Sequence, residues 1–314
     1  MTELSSRPSA AGDWPDLPLS AWADSCATLH LWTQVVGKIR LAHAPMVNHW
    51  WQVPFYVTSR GLTTSPIPYG ARSFQIDFDF IDHALEISTS TGEIDAIALG
   101  PRTVADFHGE LMGRLRSLGL ETRIWTMPVE IEGAIPFEQD SEHGSYDPGY
   151  VNRFWRILVQ LERLFTKFRS QFIGKVSPVH FFWGSFDLAV TRFSGRTAPL
   201  LTSDSPNLGR WVMQEAYSHE VSSVGFWPGN GGFGRPAFFS YAYPEPAGFA
   251  DAPMSAEAYY DRDLGQFILP YDAVRRVTSP DELIMEYLRQ TYDAAATLGR
   301  WNRQALERSP HARR

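Results

Sequence analysis

Two stretches of the chain repeat the same order of uncommon residues. Gly37-Lys38 opens the first stretch and Gly174-Lys175 opens the second. The residues that match after these dipeptides are Pro45 and Pro178, Trp50 and Trp183, Val57-Thr58 and Val190-Thr191, and Pro66 and Pro199. From the first proline onward the spacing is identical, and self-similarity at fixed spacing is typical of a duplicated structural unit. The sequence therefore predicts an internal duplication.

The segments around the two stretches have the same predicted order of secondary structure. Apolar residues at helical spacing precede each stretch, most regularly from Phe154 to Phe168. Alternating residues then predict strands at 73–80 and 84–99 in the first half, and at 215–227, 237–243 and 266–270 in the second. Each half closes with a helix whose N-cap is Thr103 or Ser279. The predicted fold class is α+β, an internally duplicated helix/antiparallel-sheet/helix unit with a pseudo-twofold arrangement.

The duplication also sets the predicted boundaries. We expect a disordered N-terminus at 1–15, a first α+β repeat at 16–145, a second α+β repeat at 146–302 and a flexible tail at 303–314. The second repeat carries Gly- and Pro-rich insertions around 202–210 and 228–236. Because long loops on a rigid scaffold commonly carry function, we expect the functional pocket in the second repeat.

Charge and composition narrow the classes of partner. The chain has 28 Lys and Arg against 35 Asp and Glu, so its net charge of −7 does not attract nucleic acid or an anionic membrane. The single cysteine, Cys26, has no partner for an internal disulfide, and no apolar signal or membrane-spanning segment is evident. A cytoplasmic protein with a small-molecule ligand is therefore expected, and a homodimer is an open alternative.

Polar residues alternate with aromatic ones in the matched strands. In the second copy Trp183, Ser185 and Asp187 share one face of a strand, as Trp50 and its neighbours do in the first copy. Polar tips beside tryptophan suit a ligand wall, although aromatic packing between the two halves is the alternative. Only the second copy has an acid at this point, since Pro54 corresponds to Asp187.

The next segment of the second half adds further titratable residues, Glu215, Tyr217, His219 and Glu220. If it pairs with the preceding strand, His180, His219 and Asp187 form a ligand set for a divalent metal, Zn²⁺ or Fe²⁺. The sequence has no HxH or HExxH spacing, so an acid–base site is the alternative. The predicted catalytic residues are Asp187, His219 and Glu220. The predicted substrate-binding residues are Trp50, Trp183, Ser185, Arg192, Glu215 and Tyr217.

Two glycine patterns are not phosphate loops. Gly229, Gly231 and Gly234 match G-x-G-x-x-G, but the segment continues into an aromatic strand and not into a helix. Gly37-Lys38 and Gly174-Lys175 lack the other residues of a phosphate-binding loop. We expect each of these lysines at the end of a helix, where its charge complements the helix dipole.

Four long motifs carry a resemblance to a known family. They are LHLWTQVVGKIR, NHWWQVPFYVTSRGLTTSPIPYG, SPVHFFWGSFDLAVTRFSGR and EAYSHEVSSVGFWPG. Through them the chain, from about Trp14 to Trp301, resembles an uncharacterised bacterial family catalogued as domain of unknown function 5996. The resemblance implies a bacterial, single-polypeptide protein and implies no activity, cofactor or catalytic residue. The functional expectation thus comes from the residues: a small-molecule enzyme, or alternatively a noncatalytic ligand-binding or protein-interaction protein.

Overall fold

The computed structural model describes residues 13–255 and 257–308. Within these residues the chain forms seven α-helices and two six-stranded antiparallel sheets, which confirms the predicted α+β class. The helices are α1 (Ala23–His43), α2 (Val104–Ser117), α3 (Pro148–Arg169), α4 (Arg210–Ala216), α5 (Tyr271–Arg275), α6 (Pro280–Leu298) and α7 (Arg303–Leu306). The strands are β1 (Tyr56–Val57), β2 (Gly61–Thr63), β3 (Ile67–Tyr69), β4 (Arg72–Asp79), β5 (Ala84–Thr89), β6 (Ile94–Ala98), β7 (His180–Phe182), β8 (Asp187–Thr197), β9 (His219–Trp227), β10 (Ala237–Tyr243), β11 (Tyr259–Asp261) and β12 (Gln266–Pro270).

The first sheet has the order β1-β2-β4-β5-β6, with β3 also paired to β4. Alternation in β4 buries Phe74, Ile76 and Phe78 on one face, where they join the core with residues of α1 and α2. The predicted N-cap of α2 is confirmed, because the Thr103 hydroxyl accepts a hydrogen bond from the Asp106 N–H at 3.0 Å. The chain therefore covers one face of this sheet with helices.

The second sheet has the order β11-β12-β10-β9-β8-β7. Leu188, Phe226, Phe238 and Leu269 lie side by side across four strands and are fully buried in the core that contains α3 and α6. Because side chains alternate along a strand, the neighbouring residues point to the opposite side of the sheet. We call this opposite side the open face. It carries Asp187, Ala189, Thr191, Ser223, Phe239 and Tyr241.

The edges of the two sheets are joined by a backbone bridge between two phenylalanines. Phe55, next to β1, and Phe181, in β7, each donate their N–H to the other's carbonyl oxygen at 2.9 Å. Both side chains are fully buried, and Phe154 of α3 packs against Phe181 with ring centroids 6.3 Å apart. The two halves therefore share one core.

Residues near both ends of the described chain pack against this core. Trp14 is buried, and the Pro15 carbonyl accepts a hydrogen bond from the Tyr271 hydroxyl at 2.8 Å. Glu307 pairs with Phe172 as an isolated bridge. The predicted loose ends overlap this packing at 13–15 and 303–308, and their remainder, 1–12 and 309–314, lies outside the described residues.

The Gly-Lys dipeptides differ from the prediction of two helix ends. Lys38 lies inside α1, and Lys175 lies in the connection between α3 and β7. α1 continues past Lys38 because core residues surround it on most sides, from Leu29 to Ile39. In the part of the chain that the structure describes, no helix is both long enough and apolar enough to cross a bilayer.

Gly37 is required by close packing between the two halves. A Cβ at this position would overlap the Trp183 indole, whose N–H donates to the Val53 carbonyl at 2.9 Å. We expect Gly37→Ala to lower the free energy of unfolding by about 1–3 kcal/mol, as overpacking of a core does. Gly113→Ala in α2 is the matched control, since a Cβ there meets open space, and it should raise stability by about 0.5–1 kcal/mol. Urea unfolding measures the stability of both variants. An equal change in the two would contradict this interpretation.

Candidate functional site

Asp187 begins β8 directly after the turn that joins it to β7. In this turn Phe186 has a left-handed backbone with φ 63°, and its N–H bonds the Phe182 carbonyl at 2.8 Å. Its ring is held between His30 and Phe154, with centroid distances of 4.9 and 5.2 Å. Asp187 is buried, and the Ser185 hydroxyl donates a hydrogen bond to its carboxylate. The turn thus fixes a buried acid beside an exposed serine.

Glu130 lies against the same turn, and sequence reasoning missed it. Its carboxylate occupies the space where a Cβ on Gly184 would lie, and its backbone has φ 60°. Gln34 of α1 holds the segment in place, because its side-chain amide donates to the Val129 carbonyl and accepts from the Val129 N–H, both at 2.8 Å. Residues 121–136 show no regular strand or helix, so no sequence pattern signals this long-range contact.

The two carboxyls have unusual protonation behaviour. Burial raises the pKa of Asp187 to about 7, and the hydrogen bond from Ser185 opposes this rise. Burial, and then the charge of Asp187, raises the pKa of Glu130 to about 7. Glu130 nevertheless has exposed surface, as does Ser185. A carboxyl that solvent reaches but that protein desolvates lies inside a recess, and the charge of the buried Asp187 acts on Glu130 there. We call Glu130 and Asp187 the carboxyl pair.

Two tyrosines extend the recess along the open face. The hydroxyls of Tyr217 and Tyr241 are 2.8 Å apart, and Tyr241 stacks on Phe239 with centroids 6.1 Å apart. Burial is the main cause that raises the pKa of both phenols, and the charges of the carboxyl pair add to it. Both tyrosines therefore stay protonated near neutral pH and can donate a hydrogen bond.

His30 is hydrogen-bonded to the turn that precedes Asp187. Its Nε2 lies 2.8 Å from the Gly184 carbonyl, so this nitrogen carries the proton, and its Nδ1 faces the Asn230 amide nitrogen at 3.4 Å. Burial lowers the pKa of His30 to about 4, which keeps the imidazole neutral. His30 is thus a positioning group for the turn that carries Ser185 and Asp187.

The predicted metal-binding group is not assembled. β9 pairs with β8 as expected, but Leu188 lies opposite Phe226 whereas Thr197 lies opposite His219. Asp187 precedes Leu188, so about eight residues of β9, roughly 26 Å, separate its level in the sheet from His219. His180 is fully buried, with Nε2 3.5 Å from the Tyr56 hydroxyl, and burial lowers its pKa to about 3. Across 13–255 and 257–308, no three His, Cys, Asp or Glu side chains are grouped to hold a metal ion.

Glu220 and Arg192 point away from the open face. Glu220 accepts hydrogen bonds from the Ser194 hydroxyl at 2.8 Å and from Arg196 at 2.6 Å. Arg192 is buried, its guanidinium lies 3.5 Å from the centroid of the Phe168 ring, and it donates to the Phe168 carbonyl. The structure places both residues outside the recess, because even-numbered residues of these strands face the helices.

The remaining predicted residues lie either in the core or in a second cluster around His49, Glu215 and His219. Trp183 is buried beside Gly37, and the Trp50 indole donates to the Val212 carbonyl at 2.9 Å. Glu215 accepts a hydrogen bond from the His49 N–H at 3.1 Å, and the His219 ring lies 5.6 Å from the His49 ring. Of the predicted site residues, Ser185, Asp187 and Tyr217 are therefore the ones that line or adjoin the recess.

The fold and the recess define an α+β protein of two linked antiparallel sheets, with paired carboxyls on the open face of the second sheet. The chain belongs to the Family of unknown function (DUF5996), whose sequence model matches residues 14–308. The curated proteins and the solved structures contain no match to this chain.

Asp187 makes stability depend on pH. Its carboxyl has an ordinary pKa of 3.8 and a folded-state pKa of about 7, so the native state must hold a desolvated charge above that pH. The free energy of unfolding should therefore fall as pH rises from about 4 to about 8, with up to about 4 kcal/mol contributed by Asp187. Asp187→Asn should remove that contribution, which urea unfolding at both pH values would measure.

Ser185→Ala should increase the pH dependence of stability, whereas Asp187→Asn should remove it. Loss of the hydroxyl that stabilises the ionised carboxylate should steepen the fall in stability above the ordinary pKa of Asp187. Equal pH dependence in wild type and Asp187→Asn would show that Asp187 is not the desolvated group.

Proposed function

We propose that this protein is a small-molecule enzyme that uses general acid–base catalysis in the recess of the second sheet. The observation that carries the proposal is the carboxyl pair, Glu130 and Asp187, in which one group is buried and its neighbour has exposed surface. Groups whose pKa is moved toward the working pH by burial and by a like charge are enriched at catalytic sites.

The carboxyl pair suits proton transfer at neutral pH. With a pKa of about 7 for each group, the pair holds roughly one proton under these conditions. The protonated member can act as an acid and the ionised member as a base. Glu130 has the exposed surface that a substrate can touch, and the charge of buried Asp187 raises its pKa.

The tyrosine pair and the aromatic wall indicate the kind of substrate. The hydroxyls of Tyr217 and Tyr241 bond each other, which leaves one hydroxyl hydrogen to donate to an oxygen that becomes negative during the reaction. Phe182, Trp227 and Phe233 are partly buried on the same side of the sheet. These rings suit a small molecule with an apolar body and one or two oxygen functions, such as a carbonyl or hydroxyl compound.

We also propose that the chain arose by duplication and works in a reducing compartment such as the cytoplasm. Each half begins with a long helix, carries a six-stranded antiparallel sheet and closes with a helix, which supports a common origin. The matched tryptophans differ locally, since Trp50 lies in a short 3-10 helix and Trp183 in the turn after β7. The free thiol of Cys26 is buried, as suits a reducing compartment.

The proposal can be tested without a known substrate. The protein is incubated with a deproteinised cell extract in D₂O, and mass spectrometry identifies compounds that are converted or that gain deuterium. We expect Glu130→Gln and Asp187→Asn each to slow the conversion by about 10²–10⁴-fold, the usual contribution of a general acid or base. Glu86→Gln, an exposed acid of the first sheet, is the matched control and should keep the wild-type rate.

A noncatalytic ligand-binding protein gives a different result in the same experiment. Native mass spectrometry would then show a compound bound to the wild type and to both carboxyl variants, with no conversion in any sample. That outcome would remove the enzyme proposal and leave the recess as a binding site.

A further inference from the structure

The chain uses arginine for nearly all of its positive charge. Of its 28 lysines and arginines only three are lysines, Lys38, Lys167 and Lys175. Lys167 is exposed on α3, whereas Lys38 and Lys175 lie beside aromatic rings. Lysine differs from arginine in that its amine can lose a proton and become a nucleophile. The amines of Lys38 and Lys175, the two lysines beside aromatic rings, are therefore the candidates for a nucleophile.

Lys175 is hydrogen-bonded to a histidine that is fixed as a proton acceptor. Its Nζ lies 2.6 Å from Nε2 of His49, and Nδ1 of His49 lies 3.1 Å from the Ala216 carbonyl. Because a carbonyl oxygen only accepts, Nδ1 carries the imidazole proton. Nε2 then presents a lone pair to the lysine amine, which is the arrangement of an activated nucleophile and its base.

Residues of α4 hold His49 in an unfavourable backbone conformation. His49 has φ 58° and Trp50 has φ 61°, in the left-handed region that non-glycine residues seldom occupy. The His49 N–H bonds the Glu215 carboxylate at 3.1 Å, and the Trp50 indole bonds the Val212 carbonyl at 2.9 Å. Strain that the surroundings maintain in this way is common at functional sites.

Aromatic rings and a carboxylate surround the amine of Lys175. Its ammonium lies 5.2 Å from the Trp51 ring centroid and 4.9 Å from that of Phe193. Burial lowers the pKa of Lys175, and Glu215 opposes this effect. Burial, and then the charge of Lys175, lowers the pKa of His49. Lys175 is only half-buried, so a small molecule can reach it.

We propose that Lys175 is a nucleophile that forms an imine with the carbonyl group of a small molecule, and that His49 Nε2 accepts its proton. The Nζ lone pair attacks the carbonyl carbon and the C=O electron pair moves to oxygen. Proton transfers then release that oxygen as water and leave a C=N bond, so an amine and a carbonyl give an imine and water. The carboxyl pair takes no part, and the proposal does not rest on the acid–base function above.

The test is reductive trapping on the full-length protein. Benzaldehyde serves as the probe because the site has aromatic walls, and cyanoborohydride reduces any imine to a stable benzylamine. Peptide mapping then gives the labelling rate of each of the three lysines. At neutral pH we expect Lys175 to label about 10²-fold faster than exposed Lys167, the low end of what a positioned base supplies. Lys175→Arg should abolish the fast label and leave the others unchanged.

The role of His49 is tested by His49→Gln, which should bring the Lys175 rate down to that of Lys167 while circular dichroism shows an unchanged fold. The wild-type comparison of Lys175 with Lys167 stands even if that variant does not fold. Lys175 labelling no faster than Lys167, or fast labelling at Lys38 instead, would overturn the proposal. Fast labelling of Lys175 that persists in folded His49→Gln would overturn the assignment of His49 as the base.

Discussion

The pairing of Phe55 with Phe181 determines how the two halves of the molecule are placed. β1 has two residues and β7 has three, so neither edge strand would be stable alone. Two reciprocal backbone hydrogen bonds at 2.9 Å join them, and the buried rings of both residues extend the join into the core. This pairing also carries the segment before β1 across to the second sheet. His49 and Trp51, which belong to the first half, therefore contact Phe193 of the second half.

Strained backbone and desolvated titratable groups are concentrated around the two candidate sites. Of the eight non-glycine residues with positive φ among those described, four adjoin the two candidate sites, namely His49, Trp50, Glu130 and Phe186. The carboxyl pair adds desolvated acids, and Lys175 adds a desolvated amine. Arg303, by contrast, is paired with Asp293 and Glu307. Stability is lost where chemistry is expected, which is the usual relation between active sites and the folds that hold them.

Sequence patterns predicted the local structure well and the long-range geometry poorly. The apolar spacing from Phe154 to Phe168 lies within α3, and the pairing of β9 with β8 was also expected. Periodicity does not determine the register of two paired strands. The prediction that Asp187 and His219 lie close together was therefore wrong. Glu130 had no signal, because its position depends on an amide from α1 that contacts an irregular segment. Lys38 was wrongly placed at a helix end, since a helix that is buried all round gives little amphipathic pattern.

The spacing between the two candidate sites limits how they can be related. The lysine–histidine pair lies beside Phe193 of β8, about six residues or roughly 20 Å along the strand from Asp187 of the carboxyl pair. Tyr217 lies two residues from His219 in the chain, and its hydroxyl reaches Tyr241 near the carboxyl pair. A drug-sized molecule is too short to contact both pairs at once. The two proposed activities should therefore be independent, and loss of one pair should leave the chemistry of the other intact.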